Sequence, residues 1–221
     1  MSLITIDIFR HAQSESNAGL PTAHPVTVCL TPLGEQQARE LAASFNANTP
    51  PQSITVTAYH RTGATAAPTL ERFPAAEYRV CGAHEFTYLD VTKYDGLTRA
   101  DRRPAVKAYW EQMDPDAVHG TGAESFNQMV QRIRTTLAAF ADLPSGYHVA
   151  VNHGFTMQVM WVLLTRPDLK GRALMQAVRA CQDQQPVPNV GRLRLVSERL
   201  GELRIASDWK QASWKARAMC A

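Results

Sequence analysis

The sequence predicts an α/β fold: a three-layer sandwich with a mostly parallel central sheet, helices on both faces and a small cap insertion. Three observations lead there. Apolar strand-like runs alternate with helical patterns, the signature of parallel strands covered on both sides. The chain has 221 residues and 45% apolar content, enough for a sizeable core in one large domain spanning 1–221. One stretch, about 86–122, fits the alternation poorly and reads as an insertion over the sheet.

The elements follow in order. Leu3–Phe9 is an apolar run that leads straight into Arg10-His11. Thr31-Pro32 is an N-cap followed by proline at the first helical position. Ala38, Leu41, Ala42 and Phe45 then recur at helical spacing. Ile54–Tyr59 is the second strand. A second amphipathic helix opens near Glu124, with Phe126, Met129, Val130, Ile133, Leu137 and Phe140 on its apolar face. His148–Asn152 is the third strand, and the helix after Gly154 carries Met157, Met160, Trp161 and Leu164 inward. Arg192–Val196 and Leu203–Ala206 close the pattern. The insertion holds Tyr88, Tyr94, Tyr109 and Trp110 with Arg99, Arg102, Arg103 and Lys107. Those cations are expected on a solvated cap face, or on a second anionic group of a substrate. Tyr109 and Trp110 are expected to pack the cap.

Composition bounds the function. A formal net charge of +3 gives no dense basic face, so nucleic acid is not an expected partner. Val159–Leu164, the most apolar stretch, is too short to span a bilayer, and no signal-peptide pattern is read at the N-terminus. A cytoplasmic protein is expected. Cys29, Cys81, Cys181 and Cys220 form no CxxC pair, so reduced thiols are expected. No His-Glu-x-x-His spacing occurs, and neither a metal nor a cofactor is expected. The sequence leaves the oligomeric state open.

The chemistry concentrates at strand ends. Arg10 and His11 follow the first strand, with Ser14 and Asn17 on the same loop. Arg61 lies just past the second, and His153-Gly154 follow the third and open a helix. If these strands are parallel neighbours, the groups meet at one sheet edge, where open α/β sheets bind ligands. Guanidinium forks match phosphate oxygens, and a helix N-terminus adds N–H donors. A neutral imidazole can attack phosphorus, and a carboxylic acid can protonate the leaving oxygen. Glu85 is the best-placed acid, with Asp90 and Asp95 as competitors. His24, His60, His84, His119 and His148 are expected to face solvent. Trp209 and Trp214 lie in a polar tail that could dock on the body or on a partner.

These motifs resemble those of the histidine phosphatase superfamily, the phosphoglycerate-mutase-like clan, in its first branch. Arg10 through Asn17 match the family opening Arg-His-Gly-Glu/Gln-Ser/Thr-x-x-Asn, with Ala12 in place of glycine. Leu30 to Ala38, Arg61 to Thr65, Glu85-Phe86 with Asp95 to Thr98, Thr121 to Ser125, and Asn152-His153-Gly154 resemble its later elements in order, over roughly 3–205. Asn152 stands where serine is usual, Thr62 where alanine is usual, and the segment from Glu85 to Asp95 is long. The Ala12 methyl is expected either to crowd a phosphate or to resist a positive φ.

The resemblance implies that His11 is the phosphorylated nucleophile. It implies that Arg10, Arg61 and His153 bind the phosphoryl group, with Asn17 as an auxiliary donor and Glu85 as proton donor. Ser14 matches a position that touches phosphate or loop backbone. The implied activity is cofactor-independent hydrolysis of a small phosphomonoester through a phosphohistidine. Two other readings stand beside it: a mutase returning the phosphoryl group to another hydroxyl, and a catalytically silent phospho-ligand-binding module. The short stretch between Glu85 and His153 favours hydrolysis over the mutase.

Overall fold

The computed structural model describes residues 4–22, 24–198 and 201–209. Its elements run β1 (Ile4–Arg10), α1 (Pro32–Ser44), β2 (Ser53–Thr57), α2 (His60–Arg72), β3 (Glu77–Cys81), α3 (Arg99–Gln112), α4 (Phe126–Ala141), β4 (Gly146–Asn152), α5 (Gly154–Thr165), α6 (Gly171–Gln184), β5 (Arg192–Ser197) and β6 (Arg204–Ser207). The described strands form one sheet in the order β3-β2-β4-β1-β5-β6. The first four are mutually parallel, β5 runs antiparallel to β1, and β6 runs antiparallel to β5 and so in the direction of the first four.

Alternation along each strand builds the three layers. Ile4, Ile6 and Ile8 of β1 face a core shared with Phe126, Met129 and Ile133 of α4, Met157 and Met160 of α5 and Leu174 and Val178 of α6. Phe9 of β1 faces the other way, with Ile54 and Val56 of β2 and Val149 and Val151 of β4, against Leu41 of α1 and Ala66 of α2. All of these residues are buried. Each large apolar side chain so enclosed contributes about 1.5–3 kcal/mol.

Two helix starts follow the expected chemistry. Thr31 Oγ1 accepts from Gly34 N at 3.1 Å, with Pro32 opening α1. Ser125, one residue past Glu124, caps α4 through a capping box with Gln128.

The structure adds one strand to those legible in the sequence. β3 is a short edge strand, Glu77-Tyr78-Arg79-Val80-Cys81, with Tyr78 and Val80 exposed. Charged, half-polar edge strands carry little hydrophobic pattern to read. The five histidines expected in solvent divide. His148 is buried on β4, its Nδ1 paired with Ser53 Oγ at 2.8 Å and its Nε2 with the Pro144 carbonyl at 2.9 Å. His84 is half-buried and stacks on Tyr59. Tyr109 and Trp110 of α3 are buried, and instead of packing a separate cap they join the core that Ile4, Ile6 and Ile8 face. Trp209 docks on the body, its Nε1 donating to the Gln185 carbonyl at 3.1 Å, whereas Trp214 lies outside the described residues.

No helix among the described residues is long and apolar enough to cross a membrane. Cys29, Cys81 and Cys181 are free thiols, and Cys220 lies outside the described residues.

Candidate active site

The topology brings the separate motifs together. β1 and β4 are adjacent and parallel, with Arg10 opposite Asn152. One residue further along each strand stand His11 and His153, and their rings lie 5.3 Å apart. β2 borders β4 and delivers Arg61 on the first turn of α2. β3 borders β2 and delivers Glu85 on the loop beyond Cys81. Thus the four parallel strands bring Arg10, His11, Arg61, Glu85 and His153 to the same sheet edge.

These groups floor a cleft of about 800 Å³. Arg10, His11, Ser14, Asn17, Arg61, Glu85 and Gly154 all line it. His153 sits directly behind, fully buried. Residues between Glu85 and Arg103 form one wall of the cleft. A second hollow of about 670 Å³, between α4, α5 and β6, contains none of these groups.

His11 is held in one tautomer. Its Nδ1–H donates to the Ala12 carbonyl at 2.7 Å. That leaves the Nε2 lone pair pointing at the Arg61 guanidinium, whose Nε donates to it at 3.1 Å. Burial, with Arg61 and Arg10 close by, pushes the His11 pKa well below the ordinary imidazole value. The ring is therefore a neutral base whose one lone pair, at the cleft floor, is held by Arg61.

Arg61 uses three of its five guanidinium N–H donors locally. Besides His11, it donates through Nη1 to the Pro25 carbonyl at 2.8 Å and through Nη2 to His153 Nδ1 at 3.1 Å. Since His153 Nδ1 accepts, its Nε2 carries the proton and donates to Thr57 Oγ1 at 2.9 Å. Thr57 Oγ1 pairs with Thr62 Oγ1 at 3.0 Å, and Thr62 donates to the Tyr59 carbonyl at 2.8 Å. Burial and Arg61 also push the His153 pKa well down.

Arg10 approaches α5 closely. A Cβ on Gly154 would lie 3.2 Å from both its Cδ and its Nε. Arg10 Nη1 donates to the Val187 carbonyl at 2.6 Å, while its buried Nε has no partner among the described residues. Ser14 Oγ is likewise buried and unpartnered. Unpaired buried donors are costly, and here they flank an open cleft where an anion can supply acceptors. Burial lowers the Arg10 pKa to about 10, Glu85 opposing and Arg99 and Arg61 adding to the effect. No side chain caps α5, so its first N–H groups remain available to the cleft.

Glu85 differs from an ordinary surface carboxylate. Burial raises its pKa, against the opposing pull of Arg61, a hydrogen bond from Phe86 N, Arg10 and Arg132. Its competitors fare worse. Asp90 accepts from Thr92 N, Lys93 N and Thr121 N, which ties its carboxylate into the loop. Asp95 is exposed and does not line the cleft.

The expected obstacle at Ala12 does not arise. Ala12 has a negative φ, its methyl is fully buried, and its N–H donates to Thr65 Oγ1 at 3.0 Å. A fixed local pocket for the methyl removes the need for glycine. Asn152 works through its side chain: Oδ1 accepts from His153 N at 2.7 Å and Thr156 Oγ1 at 2.8 Å, which orients the start of α5.

The structure adds residues that the motifs did not reveal. Thr57 ends β2 and fixes the His153 tautomer; its position at a strand terminus was the available signal. Arg132 pairs with Glu124 at 2.5 Å and donates to the carbonyls of Gly82 and His84 at 2.8 and 2.6 Å, clamping the loop that carries Glu85. Asn189 donates to the His11 carbonyl and to Asn17 Oδ1, each at 3.0 Å. The group Asn17 can offer an anion is then its NH₂. Among the described residues, no cluster of three His, Cys, Asp or Glu side chains is arranged to hold a metal ion.

Two guanidinium ions, two imidazoles with lowered pKa and a carboxyl group with a raised one define a pocket of net positive charge. That charge complements a phosphoryl dianion. Fold and site together describe an α/β protein with two arginines, two imidazoles and a partly buried carboxyl group gathered at one edge of its sheet. The chain belongs to the histidine phosphatase superfamily (branch 1), whose family model matches residues 6–182. No curated protein matches it.

Among solved structures, it resembles a mycobacterial glucosyl-3-phosphoglycerate phosphatase in complex with VO3, at 22% identity and TM-score 0.67, covering 93% of this chain and 98% of that one. It also resembles the α-ribazole phosphatase of Shigella flexneri, at 14% identity and TM-score 0.66, covering 90% and 96%. A third is the phosphoserine phosphatase of Entamoeba histolytica in complex with 3-phosphoglyceric acid, at 19% identity and TM-score 0.66, covering 93% and 96%. At these identities the likeness is one of fold.

Proposed function

We propose that the protein is a cofactor-independent phosphomonoester hydrolase that works through a phosphohistidine at His11. The observation that carries this reading is the His11 tautomer: Nδ1–H is locked on Ala12, and the Nε2 lone pair faces the cleft beside Arg61. The phosphatase activities named for the structural relatives support the same class of reaction.

The steps follow from the geometry. Substrate phosphoryl oxygens take the N–H donors of Arg10 and Arg61, which frees the His11 lone pair from Arg61. Asn17, Ser14 and the start of α5 hold the remaining oxygens, and His153 positions Arg61 through its Nδ1. Nε2 attacks phosphorus, the P–O ester bond breaks, and the Glu85 proton passes to the departing alkoxide. Water then attacks the phosphohistidine. Glu85, now a carboxylate, takes a proton from it. The P–N bond breaks, its electron pair returns to Nε2, and inorganic phosphate leaves. A neutral ring with a depressed pKa is suited to the attack, and a raised carboxyl pKa to the donation.

The test is direct. His11→Ala abolishes p-nitrophenyl phosphate turnover, and acid quenching of the wild type with labelled substrate traps phosphate on histidine. Turnover retained in the His11→Ala protein overturns the scheme. Release of inorganic phosphate, rather than isomerisation of 3-phosphoglycerate, separates hydrolysis from the mutase reading. Phosphate binding without turnover would mark a silent binding module. Residence in the cytoplasm and action on a small metabolite belong to the same proposal.

A further inference from the structure

One cationic group in the cleft is unused by this chemistry. Arg99, Arg102 and Arg103 lie on one face of the first turns of α3, and all three line the cleft that contains Arg10 and His11. No carboxylate of the described residues lies within ion-pairing distance of any of them.

The nearby acids are committed elsewhere. Asp101 closes the capping box with Thr98, accepting from its backbone N at 2.9 Å and its hydroxyl at 2.6 Å. Asp90 is tied into its own loop. Asp183 is gripped by Arg179, whose Nε and Nη2 reach its two oxygens at 2.9 and 2.8 Å. Arg179, the other arginine on this wall, is thereby neutralised and lies over the Trp110 ring.

The placement also opposes helix electrostatics. Cations are disfavoured at the positive N-terminal end of a helix. Here three arginines crowd that end against a single acid, Asp101, which the capping box already engages, and Arg102 is only partly exposed. Arg99 is close enough to Arg10 and to Arg102 to ease proton loss from both. A solvated helix face would spread these charges or pair them. Concentrating them beside a phosphoryl pocket raises the local anion concentration and offers a second set of guanidinium forks.

We infer that Arg99, Arg102 and Arg103 form a second anion subsite, so that the preferred substrate is a phosphomonoester carrying a further anionic group, a carboxylate or a second phosphate. This rests on the hydrolase reading for its place in the reaction, but its binding consequence stands apart from turnover. Among the relatives' ligands, 3-phosphoglyceric acid has such a carboxylate.

The experiment measures binding in the full-length His11→Ala protein, so that substrate is not consumed. Calorimetric titration compares 3-phosphoglycerate with glycerol 3-phosphate, which lacks the carboxylate, and fructose 1,6-bisphosphate with fructose 6-phosphate. Tighter binding of the doubly anionic member by at least about tenfold in either pair is expected, and the pair that shows it identifies carboxylate or phosphate as the second group. Adding Arg102→Gln with Arg103→Gln brings the ratio toward one, and Arg102→Glu with Arg103→Glu inverts it.

Salt gives a readout without altering the helix. The ratio falls as ionic strength rises. Equal affinity within each pair, or a ratio unchanged by the glutamine and glutamate substitutions, overturns the subsite. Failure of the wild type to turn over any phosphomonoester overturns the hydrolase reading and leaves this binding comparison valid.

Discussion

Replacing Thr57 by valine isolates the device that sets the chemistry of His153. The two side chains are nearly isosteric, so the change removes an oxygen and little volume. Three hydrogen bonds go with it: from His153 Nε2 at 2.9 Å, to Thr62 Oγ1 at 3.0 Å and from Tyr59 N at 3.3 Å. The site is closed to water, since Thr57, Thr62 and His153 are all buried. An unsatisfied buried donor costs about 1–3 kcal/mol.

His153 then has two poor choices. It keeps the proton on Nε2, facing a methyl group, or moves it to Nδ1, where it meets the Arg61 Nη2–H donor head-on. The first choice leaves a buried donor unpaired, and the second disturbs the Arg61 guanidinium, which the phosphoryl group needs. If the whole penalty is expressed in catalysis, kcat/KM for p-nitrophenyl phosphate falls about 5- to 150-fold. Thr57→Ser restores the oxygen without the methyl and recovers most of that rate. Imidazole ¹⁵N shifts report the tautomer, and urea unfolding measures the stability loss separately. A valine variant within twofold of wild type, or equal rates for the valine and serine variants, refutes the reasoning.

Other predictions follow from the same geometry. The raised Glu85 pKa keeps its acid form to higher pH than an ordinary carboxyl, so turnover of poor leaving groups falls as pH rises through that raised value. Glu85→Gln removes that alkaline limb and slows poor leaving groups more than good ones; a series of substituted phenyl phosphates checks both. The depressed His11 pKa keeps the ring unprotonated in acid, so the acid limb lies below the ordinary imidazole value of about 6.5, as kcat/KM profiles will read. Gly154→Ala brings a Cβ to 3.2 Å from Arg10 Cδ and Nε and weakens inorganic phosphate inhibition about tenfold through displacement of that guanidinium, with urea stability nearly unchanged. Gly34→Ala places a Cβ 2.0 Å from the Gln13 carbonyl oxygen, a backbone atom that cannot swing aside. It costs roughly 3 kcal/mol in urea unfolding and also shifts the His11 loop.

The sequence by itself determined the layers and the main chemical groups. Apolar periodicity marks strands and amphipathic helices because burial acts along the chain, and Ile4, Ile6 and Ile8 alternate with the residues that face the opposite core. Arg10, His11, Arg61 and His153 were legible because each closes a strand or opens the helix after it. Tertiary structure decided the remainder. β3 has almost no apolar pattern, so the route that carries Glu85 to the site emerges only from its pairing with β2. The fitness of Ala12 depends on its backbone angle and on Thr65, more than fifty residues along the chain. The hydroxyls of Thr57 and Thr62 look like ordinary strand and helix residues until folding sets them behind His153. Charge placement on α3 shows the same limit: Arg99, Arg102 and Arg103 are a plain basic run in one dimension, and a wall of the cleft in three. Hydrophobic pattern is local and repeats along the chain, whereas pKa, tautomer and charge complementarity arise from distances between groups that only the folded chain brings near.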